Sequence, residues 1–120
     1  MPIPHLEDIK IAVVGLGYVG LPLAVAFGKS RFAPVIGFNR SQWRIDALKD
    51  GRDPGGELSE DELRAAHINY TTDPASLSGA NFIIVTVPTP VTKANQPDLS
   101  PVEDASRMIG AHMKPGTVVV

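Results

Sequence analysis

The sequence predicts an α/β domain in which helices cover both faces of a doubly wound parallel sheet, and three observations predict it. Short apolar runs alternate with stretches of helical spacing along the whole chain. The runs are apolar at successive positions, as strands buried on both faces are. The first of them passes through a glycine-rich turn directly into a helix-like stretch. The simplest strand order for such a chain is 3-2-1-4-5.

Each element follows from local chemistry. Lys10 to Gly15 reads as the first strand. The helix after it runs from Tyr18 to about Lys29, with Val19, Leu23, Val25, Ala26 and Phe27 as an apolar stripe and Pro22 in the first turn, where a missing N–H costs little. Pro34 to Asn39 is a second strand, and Ser41 caps a helix whose bulky apolar residues are Trp43, Ile45 and Leu48. Gly51 to Glu57, with three glycines and a proline, is a loop. Ser59 and Glu62 form a capping box for a short helix through Leu63 to His67. Asn69 to Thr72 is a short third strand, Asp73-Pro74 starts a further turn of helix, and Asn81 to Val87 is the fourth strand, apolar except at Thr86. Pro88-Thr89-Pro90 ends it and opens a polar loop to Ser100. A helix then runs from Pro101 to about Met113, Lys114-Pro115-Gly116 stops it, and Thr117 to Val120 is a fifth strand.

A chain of 120 residues is one domain at most and buries about two thirds of its unfolded surface, enough for a core. With 43% hydrophobic and 20% charged residues and a net charge of −2, the composition is that of a soluble globular domain and argues against nucleic acid or a membrane surface as partner. The absence of cysteine excludes disulfides, thiolate metal sites and a cysteine nucleophile within the chain. Met1 to Lys10 has no long apolar core and reads as neither signal peptide nor anchor, which leaves a cytoplasmic location as the expectation. The sequence stops inside an apolar run, and from this we expect residues 1–120 to be the N-terminal part of a larger enzyme, cut after its fifth strand.

The chemistry concentrates in Gly15-Leu16-Gly17-Tyr18-Val19-Gly20. In a strand-turn-helix context this spacing is a dinucleotide fingerprint of the Rossmann type. Gly15 turns the chain sharply, Gly17 keeps side chains away from a pyrophosphate, Gly20 lets the helix pack closely, and the helix start offers free N–H groups to the phosphates. Asn39 lies 19 positions beyond Gly20, where the end of the second strand meets a ribose. In such sheets ligands sit beyond the carboxyl ends of the strands, so Asn39, Arg40 and the segment Val87, Pro88 and Thr89 join the site. Thr89 either offers a hydroxyl to ribose or phosphate or is simply part of a rigid turn. Tyr18 is expected to pack with its ring and to bind through its backbone N–H, not to act as a catalytic phenol. His5, His67 and His112 are too scattered for a metal and are expected at the surface or at helix ends. Asp46, Asp50, Asp53, Glu57, Glu60, Asp61 and Glu62 are expected to form a solvated helix face and loop. No residue of the segment is marked as an activated nucleophile, so it supplies binding groups without a catalytic centre.

Taken together, Lys10 to Pro22, Val35 to Phe38, Val85 to Pro90 and Pro97 to Pro101 resemble the UDP-glucose/GDP-mannose dehydrogenases, and most closely the bacterial branch that acts on UDP-N-acetylhexosamines. The resemblance implies an NAD-dependent enzyme, dimeric in full length, that oxidises C6 of a UDP-sugar from alcohol to carboxylate for polysaccharide synthesis. It also implies that a cysteine nucleophile and a partner lysine lie beyond position 120. It carries over Gly15, Gly17, Tyr18, Val19 and Gly20 at the pyrophosphate, Arg44 near the adenosine ribose, and Thr89 at the fourth strand. One position departs from the pattern. The family usually ends its second strand with aspartate, whereas Asn39-Arg40-Ser41 resembles NADP-using 6-phosphogluconate and hydroxyisobutyrate dehydrogenases, which admits NADP beside NAD. A β-hydroxyacid dehydrogenase domain and a non-catalytic dinucleotide-sensing module therefore stand as alternatives.

Overall fold

Strand β1 (Ile11–Val14) is buried at all four positions and organises the domain. Its alternating side chains enter two separate cores, Ile11 and Val13 on one face, Ala12 and Val14 on the other. A computed structural model describes residues 6–120; the expectations for His5 and for the extreme N-terminus lie outside them. The remaining elements are α1 (Gly20–Gly28), β2 (Val35–Phe38), α2 (Gln42–Lys49), α3 (Glu60–Ala65), β3 (Ile68–Thr71), β4 (Phe82–Val85), α4 (Ser100–His112) and β5 (Val118–Val119). Short 3-10 helices occupy Leu6–Asp8 and Pro74–Gly79.

The sheet is parallel throughout, in the order β3-β2-β1-β4-β5. This is the expected doubly wound α/β arrangement. Ala12 stands opposite Ile36 on one side and Ile83 on the other. On the first face, Leu21, Ala24 and Val25 of α1, Ile45 and Leu48 of α2 and Leu63 of α3 close over Ile11, Val13 and Val35. On the second, Ala105 and Ile109 of α4, with Leu77 of the 3-10 helix, cover Ala12, Val14, Phe38 and Ile83. The capping predictions hold, since Ser59 and Glu62 form a reciprocal box and Ser41 accepts from Arg44 N–H; the structure adds Asp73, which accepts from Ala75 N–H at the head of the second 3-10 helix.

Several local expectations are corrected. Helix α1 begins at Gly20 and not at Tyr18, because the chain through residues 17 to 19 is still turning out of the strand. The buried stripe of α1 is Gly20, Leu21, Ala24, Val25 and Gly28; Val19 and Ala26 face outward. Trp43 is 68% exposed, since the face of α2 that meets the sheet is built from Ile45, Ala47 and Leu48. Helix α3 ends at Ala65, before His67, whose N–H is taken by the Gly28 carbonyl. Asn81 stands outside β4 and works as a clamp on the strand start, accepting from Lys10 N–H at 2.7 Å and donating to the Asp8 carbonyl at 2.8 Å.

Candidate dinucleotide site

The glycine turn sits at the carboxyl end of β1, where the strand order reverses between β2 and β4. Gly15 has φ +98°, a left-handed conformation that strains any side chain, and a Cβ there would lie 3.0 Å from the Thr86 carbonyl oxygen. A Cβ on Gly20 would overlap both the Gly15 carbonyl oxygen and Thr86 Oγ1, so the close approach that this glycine permits is to the turn itself and the end of β4. Gly17 differs from both: nothing lies within 4 Å of the position its Cβ would take. The space in front of Gly17 is open. Around it the backbone N–H groups of Gly17, Tyr18 and Val19 make no hydrogen bond to a described protein group, whereas Gly15 N–H donates to the Phe38 carbonyl and Leu21 N–H to the Gly17 carbonyl. Three free amides beside an open backbone at the head of a helix fit a pyrophosphate.

The turn is held from three sides. Leu16 N–H donates to Asn39 Oδ1 at 3.0 Å, so the residue that ends β2 fixes the turn with its side chain. Arg44 Nη1 donates to the Leu16 carbonyl at 3.5 Å. Thr86 Oγ1 donates to the Gly15 carbonyl at 2.6 Å from the end of β4.

Two hollows flank the turn. One, of about 510 Å³, lies between the end of β2 (Phe38, Asn39, Arg40) and the far wall formed by Val87, Pro88 and α4. The other, of about 200 Å³, brings Gly17, Tyr18, Trp43 and Arg44 together with Asp53. Of the expected site residues, Asn39, Arg40, Val87 and Pro88 thus meet in the first hollow, and Gly17, Tyr18 and Arg44 in the second. Val19 is 67% exposed beside them, and Thr89 is exposed outside both linings. The Tyr18 ring is 78% exposed, so it does not pack within the described residues as expected. A wider hollow, about 1120 Å³, lies at the opposite end of the strands around Lys10, Asn81 and Lys114. That is the amino end of the strands, away from the turn and its free amides.

Three contributors escaped the sequence. Thr86 was visible only as a polar interruption of an apolar run. Asp53, expected to be an ordinary loop carboxylate, accepts from the N–H groups of Gly55, Glu57 and Leu58 at 2.9, 2.9 and 3.0 Å and folds the 51–58 loop around itself. Burial works to raise its pKa, but those three amides and the nearby Arg44 guanidinium outweigh burial and hold the carboxyl below its usual value. Asp104 faces Arg40 across the first hollow, with Arg40 Nη1 3.8 Å from its Oδ2. Among the described residues no group of His, Cys, Asp or Glu could hold a metal ion. His67 is exposed, and His112 is in the last turn of α4.

Residues 9–120 match the model of the UDP-glucose/GDP-mannose dehydrogenase family, NAD binding domain. A UDP-N-acetyl-D-glucosamine 6-dehydrogenase of Salmonella typhi is 47% identical over 116 residues, covering 96% of this chain and 27% of the relative. Protein CapL of Staphylococcus aureus is 48% identical over 111 residues, 92% of this chain and 26% of CapL. Among solved structures, the NDP-N-acetyl-D-galactosaminuronic acid dehydrogenase of Methanosarcina mazei Go1 superposes with TM-score 0.83 at 32% identity, over 92% of this chain and 26% of that one. The chain therefore spans about a quarter of the length of the curated relatives it matches.

Proposed function

The chain belongs to the UDP-glucose/GDP-mannose dehydrogenase family, as its NAD-binding domain, and on that premise we propose that it is the cofactor-binding part of a nucleotide-sugar 6-dehydrogenase. In this reading residues 1–120 form one dinucleotide-binding unit of an enzyme that oxidises the C6 alcohol of a UDP-sugar to a carboxylate. The names of the Salmonella and Methanosarcina relatives favour an N-acetylhexosamine as the sugar. The product feeds polysaccharide synthesis, and the whole enzyme works as a homodimer in the cytoplasm. No described helix is long and apolar enough to cross a membrane.

The observation that carries the proposal is the pairing of an open Gly17 with the free amides of residues 17 to 19. When bound, NAD supplies a hydride acceptor, and the part of this chain is to position it. The amides and the α1 dipole hold the pyrophosphate. Asn39, its Oδ1 engaged by Leu16 N–H, ties the ribose-side end of β2 to the turn, and Arg44 stands beside the same turn. Val87, Pro88 and Thr89 lead the chain from β4 toward the reacting end of the cofactor.

Trp43 is the only tryptophan and shares a hollow with Gly17 and Arg44, so its fluorescence reports on the site. Titration with NAD is expected to give saturable quenching of Trp43. A flat titration of folded protein, confirmed by calorimetry, would overturn the assignment.

A further inference from the structure

Arg40 and Asp104 pair across the hollow between the end of β2 and α4, and this contact bears on which dinucleotide the hollow accepts. Arg40 directly follows the ribose-facing end of β2, the place from which an arginine accommodates the 2′-phosphate of NADP. Its side chain is 76% exposed and free to move, yet Nη1 lies 3.8 Å from Asp104 Oδ2. Asp104 is itself held from below, because Arg107, one turn along α4, places Nη1 3.4 Å from Oδ1. As a source of stability such an exposed pair contributes little. As a matter of position it decides where Arg40 points and which charge a 2′-phosphate would meet.

We propose that Asp104 sets cofactor choice in this chain by occupying Arg40 and presenting a carboxylate where a 2′-phosphate would have to enter. The inference rests on the dinucleotide reading above. It assigns to α4 the discriminating negative charge that β2 lacks at Asn39. NADP must draw Arg40 away from Asp104 and accept repulsion from the carboxylate left behind, whereas NAD, with a 2′-hydroxyl, leaves the pair intact.

The test is to measure NAD and NADP affinities of the purified protein by calorimetry and Trp43 fluorescence, beside Asp104→Asn, Arg40→Ala and the double variant, with circular dichroism as the check on folding. Asp104→Asn is expected to raise the ratio of NADP to NAD affinity by about fivefold, a charge-assisted contact discounted for exposure. The gain should be smaller when Arg40→Ala is added, since only the relief of repulsion then remains, and it should shrink at high salt. An unchanged ratio in Asp104→Asn, or a gain undiminished by the loss of Arg40, overturns the inference while leaving NAD binding itself intact. A parent protein that binds neither dinucleotide overturns the functional reading and this inference with it.

Discussion

Three glycines in one turn make different demands, and substitution separates them. A Cβ at Gly17 meets no protein atom within 4 Å, so Gly17→Val should fold with an unfolding midpoint within about 3 °C of the parent, a change of under ~1 kcal/mol. It should nevertheless lose NAD binding, because the branched side chain fills the space in front of the amides. Gly20→Ala should do the reverse damage, costing about 2 kcal/mol or more through overlap with the Gly15 carbonyl and Thr86. Urea unfolding of both, beside a cofactor titration of the first, checks the pair of outcomes. Tyr70 supplies a further residue-scale prediction. Its hydroxyl is buried and meets no hydrogen-bonding partner among the described protein groups. Burial, with a smaller contribution from the Asp53 charge, pushes its pKa up to about 12. The folded value lies above the ordinary value of 10.0, so the tyrosine's contribution to stability is complete below pH 10 and is lost as pH climbs toward 12. Tyr70→Phe should remove that alkaline loss and raise stability near neutrality by about 1 kcal/mol, the saving from no longer burying a lone hydroxyl. Denaturation at pH 7 and pH 11 measures both effects. Asp53 works in the opposite sense: its folded pKa lies below 3.8, so the stability it gives the 51–58 loop is present above that value and lost as the solution is acidified further. Asp53→Asn should abolish this acid dependence, as read by proteolysis of the loop between pH 5 and pH 3.

At the scale of elements, the sequence spoke most clearly where a local pattern suffices. The central strands β1 and β2 appeared as apolar runs because both their faces are covered, and the two cores that share β1 are the reason, whereas the edge strands β3 and β5 expose Asn69 and Val119. Caps at Ser41, Ser59 and Asp73 were legible or implied because a cap and its helix are adjacent in the chain. Ser59→Ala should accordingly cost about 1 kcal/mol, seen as a lower midpoint in urea. Val19, placed in the apolar stripe by its spacing, lies before α1 and is exposed, and Trp43, grouped with the bulky apolar residues of α2, is exposed as well. Ties across long separations were not legible at all. Thr86 reaches Gly15 over 71 positions and Asn39 reaches Leu16 over 23, and no spacing rule marks a side chain that will bond to a distant backbone. The Arg40–Asp104 pair was hidden for the same reason, since only the folding of α4 over the sheet brings the two together.

For the whole molecule, the division of labour follows from size and composition. We propose that this chain, which has no cysteine and spans about a quarter of its relatives' length, offers binding groups without a reaction centre. It is therefore expected to bind NAD and to leave UDP-N-acetylglucosamine unoxidised, as an absorbance assay for NADH would read; steady turnover by this chain alone would refute that division. The central position of β1 has one more consequence, in the time domain. Its amides are paired with β2 and β4 and shielded by both cores, so deuterium should reach Ala12, Val13 and Val14 last, near the rate of global unfolding, and reach β5 and the 88–99 loop first. The glycine turn is rooted in the slowest-exchanging strand and tied to β2 and β4 by Asn39 and Thr86. Its cradle should thus persist through the partial openings that loosen the sheet edges, so that a phosphate arrives at a surface already in its binding shape and spends little of its affinity on ordering the protein.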